Sequence, residues 1–497
     1  MRKTLFILLC LFVSIVGVSC VSAADMNDGS VIYLSDSDKC LDVEDTISMS
    51  NSNDDSKRPL MELPKGYETK RSDESNDEID LADDETNVTI NNDTSPVEDN
   101  GTSRKDPPSS DGIIVSLNDG VSSVDVNVLP KEGSFKYLQS LVDIAKVGST
   151  LYLRSDYYGG KNSKVTVNKN LTIDGQGHTI NCNNWNKCFA FYSTKGNIVL
   201  KNLNIKKGHN NDLKKGGAIY IGGSASYTLI NCNFTDNWAE DYDGAIYNDA
   251  PNDLIIKNCC FRNNSVGNEN GGAIFSKGKI CLEGNIFDSN KANVDGGAIF
   301  CEKDVDVIHC LFKYNKAEGA KMHQCYGGAI RSKQTVSIDN STFEFNVAAD
   351  YGGAVYAKNL YVFQPIDPIL KINPISHFNK NSVKDNDGGA LYVENNTVLS
   401  YAHFVHNTAY EDGGAICCKD IFLDNCYFRG NGAEGSRIAF SDGGSIFAKG
   451  EVYLLDKNVF TRNYGERYDG ICAHLTYVCG SGNLFLCDGW REDEDDA

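Results

Sequence analysis

From Thr150 onward, apolar residues recur at every second position in short runs. Leu151 and Leu153, Val165 and Val167, and Leu171 and Ile173 are the first pairs, and Gly, Asn and Asp break the runs. A period of two predicts strands with one buried face. Just before them the period changes. Phe135, Leu138, Leu141, Val142 and Ala145 share one face of a helix over residues 134–146, with Ser134 as its cap and Gly148 at its end. It is the one good helix that the pattern predicts.

The strand-like part is repetitive. Gly-Gly-Ala-Ile or a close variant stands at Gly216-Gly217, Gly271-Gly272, Gly296-Gly297, Gly327-Gly328, Gly352-Gly353, Gly388-Gly389, Gly413-Gly414 and Gly443-Gly444, with degenerate copies at Asp243-Gly244 and Asp469-Gly470. Successive copies lie 25 to 36 residues apart. Phe-x-x-Asn alternates strictly with it, from Phe234/Asn237 to Phe460/Asn463. Apolar residues stand five and seven positions before most of these Phe, as with Ile256 and Leu254 or Leu423 and Ile421. A unit of about 25 residues made of short strands without a helix is one coil of a parallel β-helix.

The predicted fold is therefore all-β: a right-handed parallel β-helix of about twelve coils from residue 150 to 487, capped by the helix within residues 113–149. Stacking coils at about 4.8 Å turns each repeated residue into a column. Phe should lie on Phe and Ala-Ile on Ala-Ile, while stacked Asn satisfy backbone groups at the turns. Glycine gives the bend and close approach that a Cβ would block. Cys232, Cys259, Cys310 and Cys426 share one column with Ser341, Ala402, Asn285 and Asn458. That interchange predicts small residues in a tight space, with buried free thiols, although a disulfide between Cys232 and Cys259 is geometrically conceivable.

These motifs resemble the repeats of chlamydial polymorphic outer-membrane proteins and, more closely, the adhesin-like surface proteins of methanogenic archaea. The resemblance spans roughly residues 216–487 and implies a pectin-lyase-like β-helix on a surface protein. The helix, Thr150-Leu151-Tyr152-Leu153 and residues 171–180 resemble the entry coils of the archaeal type.

The flanks have other compositions. Arg2 and Lys3, an apolar run over residues 5–18 and Ser22-Ala23-Ala24 predict a signal peptide over residues 1–24. Residues 25–112 are rich in Asp, Glu, Ser and Asn, with sequons at Asn87, Asn92 and Asn100, and predict a disordered acidic linker. Residues 488–497 form an acidic tail. No later stretch is long and apolar enough to cross a membrane, so an exported chain, secreted or loosely attached to the cell surface, is expected. The net charge of −21 disfavours a nucleic-acid partner. Neither Cys259-Cys260 nor Cys417-Cys418 has zinc-ligand spacing, and the eight His show none.

No catalytic, cofactor-binding or metal-binding residue is expected. Asp174-Gly175-Gln176-Gly177 resembles an early element of glycosidases of this fold but reads as a turn. Asp295, Asp387, Asp412 and Asp442 precede Gly-Gly pairs and read as Asx-turns, because Asn270, Tyr326 and Tyr351 take the same place. The function expected is a non-catalytic, adhesin-like binding protein whose partner is a glycan or protein on another cell. The alternative is a polysaccharide lyase or glycosidase. Two insertions, residues 317–326 and 432–442, leave from the same turn four coils apart, about 20 Å at strand spacing. They carry Glu318, Lys321, His323, Gln324, Glu434, Arg437 and Phe440 and are the expected recognition loops. A third excursion, residues 362–373 with Pro365 and Pro368, leaves from another turn.

Overall fold

The structure is a computed structural model. It describes residues 131–486 except 162, 211–215, 242–243, 320–323, 364–373, 436–440 and 467, together with the backbone of two dipeptide strands, Val21–Ser22 and Ile32–Tyr33. Apart from those two dipeptides, the predicted signal peptide, linker and tail lie outside the described residues, as do Lys321, His323, Pro365, Pro368, Arg437 and Phe440.

The repeats build a parallel β-helix. Three ladders of strands run along it: a broad 22-stranded sheet, a 14-stranded sheet that holds the Phe residues, and a narrow nine-stranded sheet. The broad sheet takes two strands from each early coil, such as Ile274–Ser276 and Ile280–Glu283. From Leu391–Ser400 onward the two join into one long strand per coil. The pairings between successive coils are parallel, with Phe261 opposite Phe287 and Phe287 opposite Phe312, and the long strands of the later coils carry register shifts after Val393, Cys418 and Ala448.

The Phe column follows from that register. Phe234, Phe261, Phe287, Phe312, Phe343, Phe378, Phe404 and Phe428 are fully buried. Neighbouring rings lie 4.6 to 5.1 Å apart and within 5° of parallel. The separation is the strand spacing itself, so the backbone ladder sets the ring stack.

Beside it runs an Asn ladder. Asn290 shows its logic. Its Nδ2 donates to the Phe261 carbonyl of the preceding coil at 3.0 Å and to Asn315 Oδ1 of the next at 3.0 Å. Its Oδ1 accepts from the backbone and side-chain nitrogens of Asn264 at 3.1 and 3.0 Å. Every polar atom of a fully buried side chain is thus paired with a neighbouring coil. Asp lacks the donors, so the column holds Asn.

The Cys column is a second ladder, and size alone does not explain it. Cys259 N donates to Asn285 Oδ1 at 2.8 Å, Asn285 N to Cys310 Sγ at 3.4 Å and Cys310 N to Ser341 Oγ at 3.0 Å. Cys, Ser and Asn interchange because each offers an acceptor to the amide of the coil before it. Cys232, Cys259, Cys310 and Cys426 are buried free thiols, as expected. Among the described residues the disulfide lies elsewhere, between Cys182 and Cys188, with Cα atoms 5.7 Å apart.

The Gly-Gly bends are steric necessities. Gly327 has φ +68°, and a Cβ on Gly328 would stand 2.1 Å from the Gly353 carbonyl oxygen. The cap is helix α1, Phe135–Ile144. Ser134 Oγ accepts from Tyr137 N at 3.1 Å, and Phe135, Leu138 and Val142 bury its inner face. The helix ends earlier than the pattern predicts, at Ala145, whose backbone turns extended. Gly148, with φ +79°, serves the turn that follows. No described helix is long and apolar enough to cross a membrane.

Candidate binding face

Alternation along each Gly-Gly-Ala-Ile strand turns Ile inward and the next residue outward. Those outward residues form a column in register: Tyr220, Tyr247, Phe275, Phe300, Arg331, Tyr356, Tyr392, Cys417 and Phe447. The early part is a plain stack, with Tyr247 and Phe275 rings 4.9 Å apart. The later part is more varied. The Arg331 guanidinium lies 3.9 Å above the Tyr356 ring, and its other side reaches Glu394 Oε1 at 3.5 Å. Tyr356 stacks on Tyr392 at 4.9 Å, and Lys449 Nζ lies 3.1 Å from the Tyr392 hydroxyl. Tyr326 and Tyr351, from the column just before Gly-Gly, meet Tyr356 and Tyr392 edge-on at 4.7 and 4.9 Å. Four tyrosines, Arg331, Glu394 and Lys449 thus share one patch, with Glu394 and Lys449 exposed, Tyr326, Tyr351 and Tyr392 half-buried, and Tyr356 buried beneath Arg331.

The patch lies in the coils between the two matched insertions. Both leave the narrow sheet, after Lys316–Ala317 and Gly432–Ala433, and rejoin the chain at Tyr326 and Asp442. Glu318, at the base of the first, pairs with Lys384 at 2.7 Å. Gln324 and Glu434 also stand at the loop bases. At this turn the coils between have short connections: Asn346 to Gly353, Asn381 to Gly389 and Asn407 to Gly414.

The carboxylates before Gly-Gly bond to the next coil and do not form turns within their own. Asp295 Oδ1 accepts Tyr326 N of the next coil at 3.0 Å, Asp387 Oδ1 accepts Asp412 N at 3.1 Å, and Asp412 Oδ1 accepts Asp442 N at 2.9 Å. Asn270 does the same for Asp295 N at 3.0 Å. Burial pushes Asp295 up to about 7 against the pull of that amide hydrogen bond. Burial and the neighbouring Asp387 and Asp442 charges push Asp412 up to about 6. Asp174 ends its strand in a turn, accepting Gln176 N at 3.1 Å and pairing with Lys201 at 2.9 Å. Among the described residues no group of three or more His, Cys, Asp and Glu is placed to hold a metal ion.

The aromatic column was visible in the sequence as the residue after each Gly-Gly-Ala-Ile, but the motif drew attention to its own inward residues. Tyr326 and Tyr351 appeared only as exceptions to an Asp column, and their convergence on Tyr356 and Tyr392 needed the register.

The Chlamydia polymorphic membrane protein repeat matches at residues 286–302 and 402–419. The chain is 28% identical over 231 residues to probable outer membrane protein PmpD of Chlamydia trachomatis, across 43% of this chain and 13% of that protein. It is 29% identical over 213 residues to probable autotransporter YfaL of Escherichia coli, across 41% of this chain and 15% of that protein. To probable outer membrane protein PmpG of Chlamydia muridarum it is 25% identical over 287 residues, 50% of this chain and 23% of that protein. The chain spans less than a quarter of the length of these relatives. No solved structure matches it.

Proposed function

We propose that the chain is an exported, surface-located, non-catalytic binding protein of adhesin type, whose β-helix presents the Tyr-Arg-Lys face to a glycan or protein on another cell. The observation that carries this reading is the contrast between columns. The inward Phe and Asn columns repeat one residue coil after coil, whereas the outward column passes from Phe300 to Arg331, Tyr356 and Tyr392 between the two insertions. Tyr and Arg are the residues that dominate binding energy at protein interfaces, and they need partial exposure on a rigid support. The outer-membrane and autotransporter names of the relatives support a surface location. The carboxylates before Gly-Gly have oxygens tied to backbone amides, which favours a scaffold role over an acid-base pair.

The test is a screen of the purified protein against a glycan array and whole cells, repeated with a variant that has both insertions shortened to the common connection length. Retained folding with lost binding is expected. Equal binding by the folded variant would remove the loops from the interface. Cleavage of any polyanionic or neutral glycan in the same panel would overturn the non-catalytic reading in favour of a lyase or glycosidase.

A further inference from the structure

The Phe sheet has its own outward column, one residue before each Phe. Ile286, Leu311 and Thr342 occupy it in the central coils, and His377, His403 and Tyr427 follow in register. His377 and His403 therefore stand side by side on adjacent parallel strands, although 26 residues separate them in the chain. Their ring centroids are 5.3 Å apart, and the rings are nearly perpendicular at 87°.

We propose that His377 and His403 form a chelating pair for a divalent transition-metal ion such as Zn2+, with water or an external ligand completing the shell. The argument is geometric first. Two imidazoles bound to one tetrahedral zinc at about 2.0–2.1 Å hold their ring centroids about 5 Å apart, because each centroid lies about 1 Å behind its nitrogen. The observed centroid separation agrees with that requirement, and the paired strands fix it. Neither ring has a hydrogen-bonding partner among the described residues, so no competing bond has to be broken.

The surroundings suit a cation. Burial lowers the His377 pKa, opposed by the nearby Glu344 charge, and burial with the neighbouring His377 lowers His403 to about 4. Both rings are then neutral at pH 7, the state that binds metal, and no proton has to leave. Glu344 is on the strand paired with that of His377, one side-chain position further along, opposite Asn379. Both rings are half-buried, so one side of the pair stays open to solvent.

The experiment uses the full chain with ring-labelled histidine and titrates Zn2+ at pH 7.5. Of the eight His signals, two are expected to shift together, and these two should be the ones lost in His377→Gln and His403→Gln. Calorimetry should show a site that either substitution weakens by roughly tenfold or more, since even the loss of an outer-shell partner has that effect. Zn2+ that leaves both signals unmoved in the unaltered protein would overturn the proposal. So would superimposable isotherms for the unaltered protein and the folded double variant, which would leave the ring pair as edge-to-face packing. The readout on the unaltered chain stands even if a variant fails to fold.

Discussion

Phe-x-x-Asn and the residue after Gly-Gly-Ala-Ile occur in almost every coil, yet the two regions follow opposite rules. Inside, Phe faces Phe and Asn faces Asn, and the neighbours of each residue are its own copies. Whatever suits one coil then suits all, so one residue type fills the column. Outside, the column is covered unevenly: Tyr247, Phe275, Phe300 and Cys417 are buried, whereas Tyr220, Arg331 and Tyr392 are half-buried and meet solvent or a partner. There the column passes through Tyr, Phe, Arg, Tyr and Cys. Uniformity marks the positions that the fold requires, and variety marks those left for something else.

The sharpest way to break this contrast is in the Phe column. Phe312 is fully buried, with rings at 4.6 Å on one side and 4.8 Å on the other. Phe312→Ala should cost about 3–5 kcal/mol, the range for a buried Phe that leaves a cavity. Chemical denaturation measures it. A loss below about 1 kcal/mol would mean that the coils close over the gap and that the column is not the core.

The Asn ladder should come next. Asn346 Nδ2 donates to the Phe312 carbonyl at 2.9 Å and to Asn381 Oδ1 at 3.0 Å, and its Oδ1 accepts from Asn315 N at 3.1 Å. Asn346→Ala orphans buried groups in both neighbouring coils and should cost about 2–3 kcal/mol. Asn346→Asp should cost at least as much, because it keeps the acceptor and loses both donors. An Asp variant as stable as the parent would show that the donors contribute nothing.

What the sequence made legible follows the same division. The coil, the Phe column, the Asn ladder and the inner face of α1 were readable because identity repeats at a fixed spacing. The Cys column was half readable. Cys, Ser, Ala and Asn were grouped by size, but at most of these positions what they share is an acceptor aimed at the amide of the preceding coil. The Asp column was assigned a local turn, because a single sequence shows local partners more readily than partners one coil away. His377 with His403, Tyr351 with Tyr392, and Cys182 with Cys188 were not seen at all. None of these residues belongs to a repeated motif; the register between coils sets who meets whom for the His and Tyr pairs, and a short local loop does so for Cys182 and Cys188. Gly148 was assigned to the helix end because glycine favours that position, but the chain had already left the helix at Ala145.

A third prediction concerns the carboxylate ladder, which sits between the two regimes. Asp295 has an ordinary value of 3.8 and rises to about 7 in the fold. Between those values the native state holds a proton that the unfolded state has released, so stability falls as pH rises through this window. Thermal unfolding should therefore occur at a higher temperature at pH 5 than at pH 8. Asp295→Asn should raise stability at pH 8 by about 1–2 kcal/mol and flatten the dependence, since the amide oxygen still accepts Tyr326 N as Asn270 does for Asp295 N. Unchanged pH dependence in this variant would place the titrating group elsewhere, with Asp412 the next to test.

The smallest effect belongs to the outward charges, and there the contrast is tested from the other side. Lys333 is half exposed, 3.4 Å from Glu302 Oε1 and 5.3 Å above the Phe300 ring. An exposed ion pair contributes about 0–1 kcal/mol, because water already solvates both partners and two long side chains must be held still. Lys333→Ala should therefore shift stability by no more than about 1 kcal/mol, and added salt should shrink even that. Such tolerance is what lets an outward column change its residues from coil to coil while the Phe and Asn columns do not. A loss at Lys333 as large as that at Phe312 would mean that the outer face is part of the scaffold. Its variety would then need a structural cause, and the case for it as the recognition surface would fall.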